Sequence, residues 1–412
     1  MVSDKHHVRL FEDREVDALS LSLSIVTFAD GLISIFVPVY FWSLGFSIAK
    51  ILLFYLLHSI LYVAVSFLLL TIVRRLSDKM MIFLSIPFLI LYFVGLSMMR
   101  DNGAIFYLLP IASSLHAFFF TIGYNINFSN VVERSEIGKN VGTRAVLNSV
   151  MQFGAPLFGG LLIKFSGFSN TFLIGSIVLL VSVIPLFFFP NRNKSSRLTV
   201  KSLIPFFKDP ELQPFNISGV GYATEVIISK TIWPLFIFIA VGNIGEFGGI
   251  ISLGLIVTAL ITYLVGFLSD YGRRRNVITV TTTGNALLWL IRPFIAQTPL
   301  IVGIHVGGNA IYSGLSVAWT SQFYKITKTV SNATAFIISR EVLYNIARVV
   351  FIPILMAIAW VLPARVFFPV SFVIAAFATL LYLEANKTHA HLLTSLMTLK
   401  HVEVTPEEVE KH

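Results

Sequence analysis

The chain has 412 residues, 56% hydrophobic and only 12% charged, with a formal net charge of +9 and a mean hydropathy of +0.83. One or two soluble cores of that length cannot bury so much apolar surface, which excludes a soluble enzyme or a nucleic-acid-binding domain. The absence of cysteine excludes disulfides and thiolate metal sites, and no polar stretch is long enough for an ATPase or kinase module.

What remains is a dozen apolar stretches of about 20 residues, each long enough to cross the hydrocarbon core as a helix that closes its own backbone hydrogen bonds. In chain order the predicted spans are 19–43, 50–72, 80–99, 104–129, 141–163, 169–189, 214–241, 246–268, 276–296, 299–323, 333–361 and 364–384. Segment 1–18 is mostly polar and carries no small-residue cleavage site, so no cleaved signal peptide is expected. Alternate connecting segments carry about 21 Lys and Arg against 4 in the others. By the positive-inside rule both termini, including the tail 385–412, are then cytoplasmic. The basic charge is therefore a topology signal, and no nucleic-acid partner is expected.

The polar, basic, Pro-bounded stretch 190–213 reads as a cytoplasmic linker between two six-helix halves, 19–189 and 214–384. Weak internal matches support a duplication. Pro110 and His116 repeat as Pro299 and His305, and Arg144, Asn148 and Pro156 have the spacing of Glu341, Asn345 and Pro353.

After the eighth span the chain reads Gly266-Phe267-Leu268-Ser269-Asp270-Tyr271-Gly272-Arg273-Arg274-Arg275. This resembles the loop motif G-x-x-x-D-R-x-G-R-R of the major facilitator superfamily, one residue short between Asp and Gly and with Tyr at the first Arg. The copy after the second span, Arg74-Arg75-Leu76-Ser77-Asp78-Lys79, lacks both glycines and has Arg74 at the Asp position. Gly138-Lys139, Gly142 and Pro156-Leu157-Phe158-Gly159-Gly160 of the fifth span, with the Leu44-Gly45-Phe46-Ser47 turn after the first, extend the likeness over the whole chain. The resemblance implies an all-α membrane protein of twelve helices in two six-helix bundles, with the first, fourth, seventh and tenth spans lining a central cavity.

An ionisable group at the centre of a span costs about 2.5–3.5 kcal/mol or more, so each is a functional candidate. Asp30, mid-depth in the first span and too short to snorkel, is the first choice for proton coupling. Glu225 is the second. Lys230, five residues on and before Trp233-Pro234, has Asp30 across the halves as one conceivable partner. Polar stripes add cavity-lining candidates: His116, Tyr124, Asn125 and Asn127 in the fourth span, His305, Asn309 and Tyr312 in the tenth. For the two histidines, hydrogen-bonded helix packing is the stronger expectation. Arg292, near the outer end of the ninth span, reads as a snorkelling cation.

By the resemblance, Asp270 faces Arg144 and Arg74 faces Glu341, forming cytoplasmic latches whose surroundings include Arg273, Arg340 and Arg348. A fixed contact between Glu341 and Arg348 is the static alternative. No carboxylate or histidine set has metal-ligand spacing, so neither metal nor cofactor is expected.

The function expected is secondary active transport of a small organic solute, coupled to protons and carried out by a monomer in the cytoplasmic membrane of a prokaryote. Its apolar, aromatic surroundings tilt the expectation towards export of amphiphilic or cationic compounds over nutrient uptake. A lipid translocator or a non-transporting sensor on the same fold are the alternatives. A membrane-embedded prenyl or acyl transferase is set aside because it needs Asp-rich or clustered His/Asp motifs, and none appear.

Overall fold

The structure is a computed structural model, and it describes residues 14–131, 154–184, 198–268, 274–295 and 297–388. Among these there are helices and no strands. Ten helices are long and apolar enough to cross a membrane. Two more complete the twelve predicted spans. Ala155–Val183 runs past Gly167, whose φ of 81° breaks it into the fifth and sixth spans. Arg274–Ile291, the ninth span, has the length but carries too many Thr, Asn and Arg residues to pass as apolar.

The first span is Arg14–Ile33, a 3-10 turn Ser34–Phe36, then Val37–Ser43. The second, third and fourth are Ile48–Leu68, Asp78–Met98 and Ile105–Val131. The seventh comprises Gln213–Ile227, a π turn Ile228–Ile232 and Trp233–Val241. The eighth is Ile244–Leu268, the tenth Thr298–Thr327, the eleventh Ala333–Val361 and the twelfth Ala364–Leu380. These positions agree with the predicted ones to within a few residues, while 141–153 of the predicted fifth span and 185–189 of the sixth lie outside the described residues. The stretch read as linker is more ordered than expected. It holds a helix, Val200–Lys208, started by a capping box in which Thr199 and Ser202 each accept from the other's backbone N–H.

Both halves break their first helix at a proline. Pro38 and Pro234 have no N–H to give the carbonyls of Ser34 and Lys230 four residues back, and the chain answers with a 3-10 turn in one half and a π turn in the other.

The outside of the bundle is apolar, as lipid contact requires. Phe165, Phe294 and Trp360 are more than four-fifths exposed, and Trp360 lies at a span end where its ring suits the membrane interface. The chain is an integral multi-pass membrane protein.

The halves meet along two seams, the second span against the eleventh and the fifth against the eighth. The fifth–eighth seam is made by glycines. A Cβ on Gly248 would lie 2.4 Å from the Pro156 carbonyl oxygen, and one on Gly160 would lie 2.8 Å from that of Ile244. Without a hydrophobic drive between helices in lipid, such close backbone approach is what holds them. Ser252 accepts a hydrogen bond from the Leu157 N–H at 3.0 Å, satisfying a donor that the Pro156 turn leaves without a helical partner.

Gly248→Ala is therefore expected to destabilise the protein by about 1–3 kcal/mol through overpacking. Gly249→Ala, whose Cβ would have no neighbour nearer than 4.0 Å, is expected to leave thermal unfolding in detergent unchanged.

Candidate functional site

The π turn of the seventh span divides two charges that the sequence sets five residues apart. Lys230 is exposed, between buried Ile228 and buried Thr231 and Ile232, and it has no ion pair or hydrogen bond among the described residues. Glu225 points the other way, into the C-terminal half, and is only 1% exposed. Trp289 Nε1 donates to Glu225 Oε1 at 3.2 Å, while Oε2 has no hydrogen-bond partner among the described residues.

Arg292 occupies the same buried layer. It does not snorkel, contrary to the sequence expectation, because its guanidinium turns inward over Trp289 at 3.5 Å and Trp233 at 4.2 Å from the ring centroids. It is 5% exposed, and its Nε and Nη1 have no hydrogen-bond partner. Gly308 makes room, since a Cβ there would stand 2.9 Å from an Arg292 terminal nitrogen. Trp289 thus links the charges, its N–H on the carboxylate and its face on the cation.

His305 closes this layer from the tenth span. Trp233 Nε1 donates to its Nδ1 at 3.2 Å, and an indole N–H only donates, so the ring is neutral with its proton on Nε2. Asn309 donates to the His305 carbonyl at 2.8 Å, and Gly254 admits both side chains. His305 and Asn309 therefore serve helix packing. Tyr312, half-buried, lies beside Tyr222 and Tyr382.

In the other half, Asp30 is half-buried one turn before the 3-10 turn at Ser34, and the Ser34 hydroxyl donates to its Oδ1. No ion pair joins it to Lys230, so that conceivable partnership is not made in this conformation. His116 donates from Nδ1 to the Ser85 carbonyl at 3.0 Å and stacks on Phe120, which in turn stacks on Tyr124.

At the basic end the fourth and tenth spans meet. Tyr324 donates to Asn125 Oδ1 at 2.7 Å, and its ring lies 4.4 Å from that of Phe128. Asn127 donates to Asp78 Oδ2 at 2.9 Å, anchoring the third span to the fourth. Both asparagines are thus interhelical ties at the end of the bundle.

Of the two expected charge latches, the one between Arg74 and Glu341 needs correcting. Glu341 is paired with its neighbour Arg340 at 2.5 Å, and the Arg340 guanidinium lies 3.4 Å over Phe323. Arg74 is exposed and is not brought to Glu341. The static alternative fails too, because Arg348 makes no pair with Glu341. Its position two turns deeper sets it beside His58 of the second span. Asp270, Arg144 and Arg273 lie outside the described residues. Sequence reasoning missed Arg292, Trp289 and Tyr324 as site residues. Only the pairing of Arg292 with Trp289 at i, i+3 could have signalled the first two.

Among the described residues no cluster of three His, Cys, Asp or Glu could hold a metal ion. No family model matches the chain, and no curated protein matches it in sequence. Solved structures do. The nucleoside transporter NupG superposes with a TM-score of 0.66 at 15% identity, over 92% of this chain and 99% of that one. The E. coli fucose:proton symporter FucP, as a single-site variant, gives 0.65 at 15% identity over 90% and 97%. This chain has the major facilitator superfamily fold.

In that fold the two six-helix bundles rock about a central site. Here each end of the seam carries contacts between the halves, Tyr324 against Asn125 and Phe128 at the basic end and Phe36 against Phe247 at 5.4 Å at the opposite end. Tyr324→Phe removes one inter-bundle hydrogen bond, about 0.5–1.5 kcal/mol of closure. Because the chain has no native cysteine, spin labels at Asn130→Cys and Thr329→Cys report this seam alone. Their distance distribution is expected to shift towards longer values in Tyr324→Phe.

Proposed function

We propose that this protein is a secondary active transporter, not an enzyme, that moves a small organic solute across the membrane by alternating access and couples that movement to protons through Glu225. The observation that carries this reading is the buried Glu225–Trp289–Arg292 group. A carboxylate held at 1% exposure, with one oxygen unpartnered among the described residues and a cation one indole away, changes the charge of the buried layer when it gains or loses a proton. Ionised, it offsets Arg292; protonated, it leaves that guanidinium uncompensated. Its seal from water in this closed conformation keeps the proton from exchanging until the bundles move. Asp30, half-buried and held by Ser34, is the weaker coupling candidate, reversing the sequence expectation.

The lysine- and arginine-rich connections support a topology with both termini in the cytoplasm, in the cytoplasmic membrane of a prokaryote, and the halves 19–189 and 214–384 as the moving bundles. A monomer suffices, since each half finds its partner in the same chain. The fucose neighbour is by its name a proton symporter, which supports symport as the working mode. No residue in the central layer calls for export of cationic amphiphiles.

In proteoliposomes with an imposed pH gradient, Glu225→Gln is expected to lose at least tenfold of gradient-driven flux while keeping solute exchange at equilibrium. Asp30→Asn is expected to keep the gradient dependence. Undiminished gradient-driven accumulation by Glu225→Gln sinks the assignment.

A further inference from the structure

The two seams between the halves treat their polar groups differently. In the fifth–eighth seam the Ser252 hydroxyl and the Leu157 N–H satisfy each other. In the second–eleventh seam buried polar atoms stay unsatisfied. Ser59 and Tyr62 of the second span are 1% and 2% exposed, and neither hydroxyl has a hydrogen-bond partner. Among the described residues of the N-terminal half they are the only side chains so placed, and both lie on a helix that meets the other half. On the eleventh span Asn345 is 1% exposed, and its Oδ1 likewise accepts no hydrogen bond.

Helix geometry sets these groups level with one another. The second span runs towards the basic end and the eleventh runs away from it, so the two are antiparallel. Tyr62 shares one apolar cluster with Ile338 and Val342, which sets the register. Ser59 lies three residues before Tyr62, and Asn345 lies three residues after Val342. Each keeps the face of its neighbour, about one turn further from the basic end. The Tyr62 ring is steadied by Phe118 of its own half at 5.9 Å. Asn345 donates from Nδ2 to the Glu341 carbonyl of its own helix at 2.9 Å. The polar atoms of this layer thus make no bond across the seam.

A buried polar group without a partner is penalised relative to one that meets water. Three in one layer weigh against the conformation that buries them. We propose that Ser59, Tyr62 and Asn345 form a release layer: parting of the second and eleventh spans hydrates them, and that gain drives the bundles out of this conformation. The inference rests on the alternating-access reading and deepens it, with a device separate from the Glu225 proton site.

The test reads conformational populations of the full chain in phosphatidylcholine nanodiscs by electron–electron double resonance. Because the chain has no native cysteine, labels at Arg74→Cys with Ser331→Cys, and at Ser43→Cys with Val361→Cys, report the two ends of this seam. Ser59→Ala, Tyr62→Phe and Asn345→Leu each remove an unpartnered polar atom at nearly constant shape. Each is expected to raise the ratio of short to long distances, at the end that opens, by about fivefold or more. Ser66→Ala removes a buried hydroxyl that does have a partner, the Tyr62 carbonyl at 2.8 Å, and is expected to leave the ratio unchanged. The inference is overturned if the three variants keep the wild-type ratio, lower it, or move it no more than Ser66→Ala does. Two wild-type populations left unmoved by the variants sink this inference alone. One fixed population at both ends, in wild type and variants alike, sinks the alternating-access reading with it.

Discussion

In hydrocarbon a backbone carbonyl without a donor is expensive, and a proline creates one in the first helix of each half. Pro38 frees the Ser34 carbonyl and Pro234 frees that of Lys230, and the local winding changes in response. The π turn is the more consequential, because it widens the helix at the residue where the seventh span must present two charges in different directions. Glu225 goes inward to Trp289, and Lys230 stays exposed. Much of the site's chemistry follows from that division. The equivalent break in the first span sets Ser34 on Asp30 and binds that carboxylate to its own helix.

The seams that let the bundles move are built from a different constraint. Lipid tails are as apolar as leucine, so helices are held by close fit, and Gly160 and Gly248 supply that fit with backbone against backbone. Such a contact is flat and small. It is suited to a pivot, whereas the ends of the seam carry contacts that form and break singly: one hydrogen bond and one ring pair at the basic end, one ring pair at the other. This contrast between a tight contact and thin ones fits the proposed alternating access, and at the described ends of the seam the contacts are aromatic and amide groups.

The fold was legible in the sequence because its determinants are local. A 20-residue apolar run must be a helix wherever it lies in lipid, and loop Lys and Arg mark one side whatever the helices touch. Asp30, Glu225 and Lys230 were likewise visible as intramembrane charges. Their partners were not. Arg292 sits close enough to a span end that sequence reads it as snorkelling, and only the facing rings of Trp233 and Trp289, from two different spans, turn it inward.

Sequence by itself determined the solvent, the number of crossings and which residues carry a cost that function must justify, since each depends on composition within one helix. Tertiary structure decided which of those costs are offset and by what. Glu341 meets Arg340 and not Arg74, His305 meets Trp233, and Lys230 makes no ion pair among the described residues. Such pairings depend on how helices rotate and cross, and a helical period of 3.6 residues fixes a face without fixing what that face will meet.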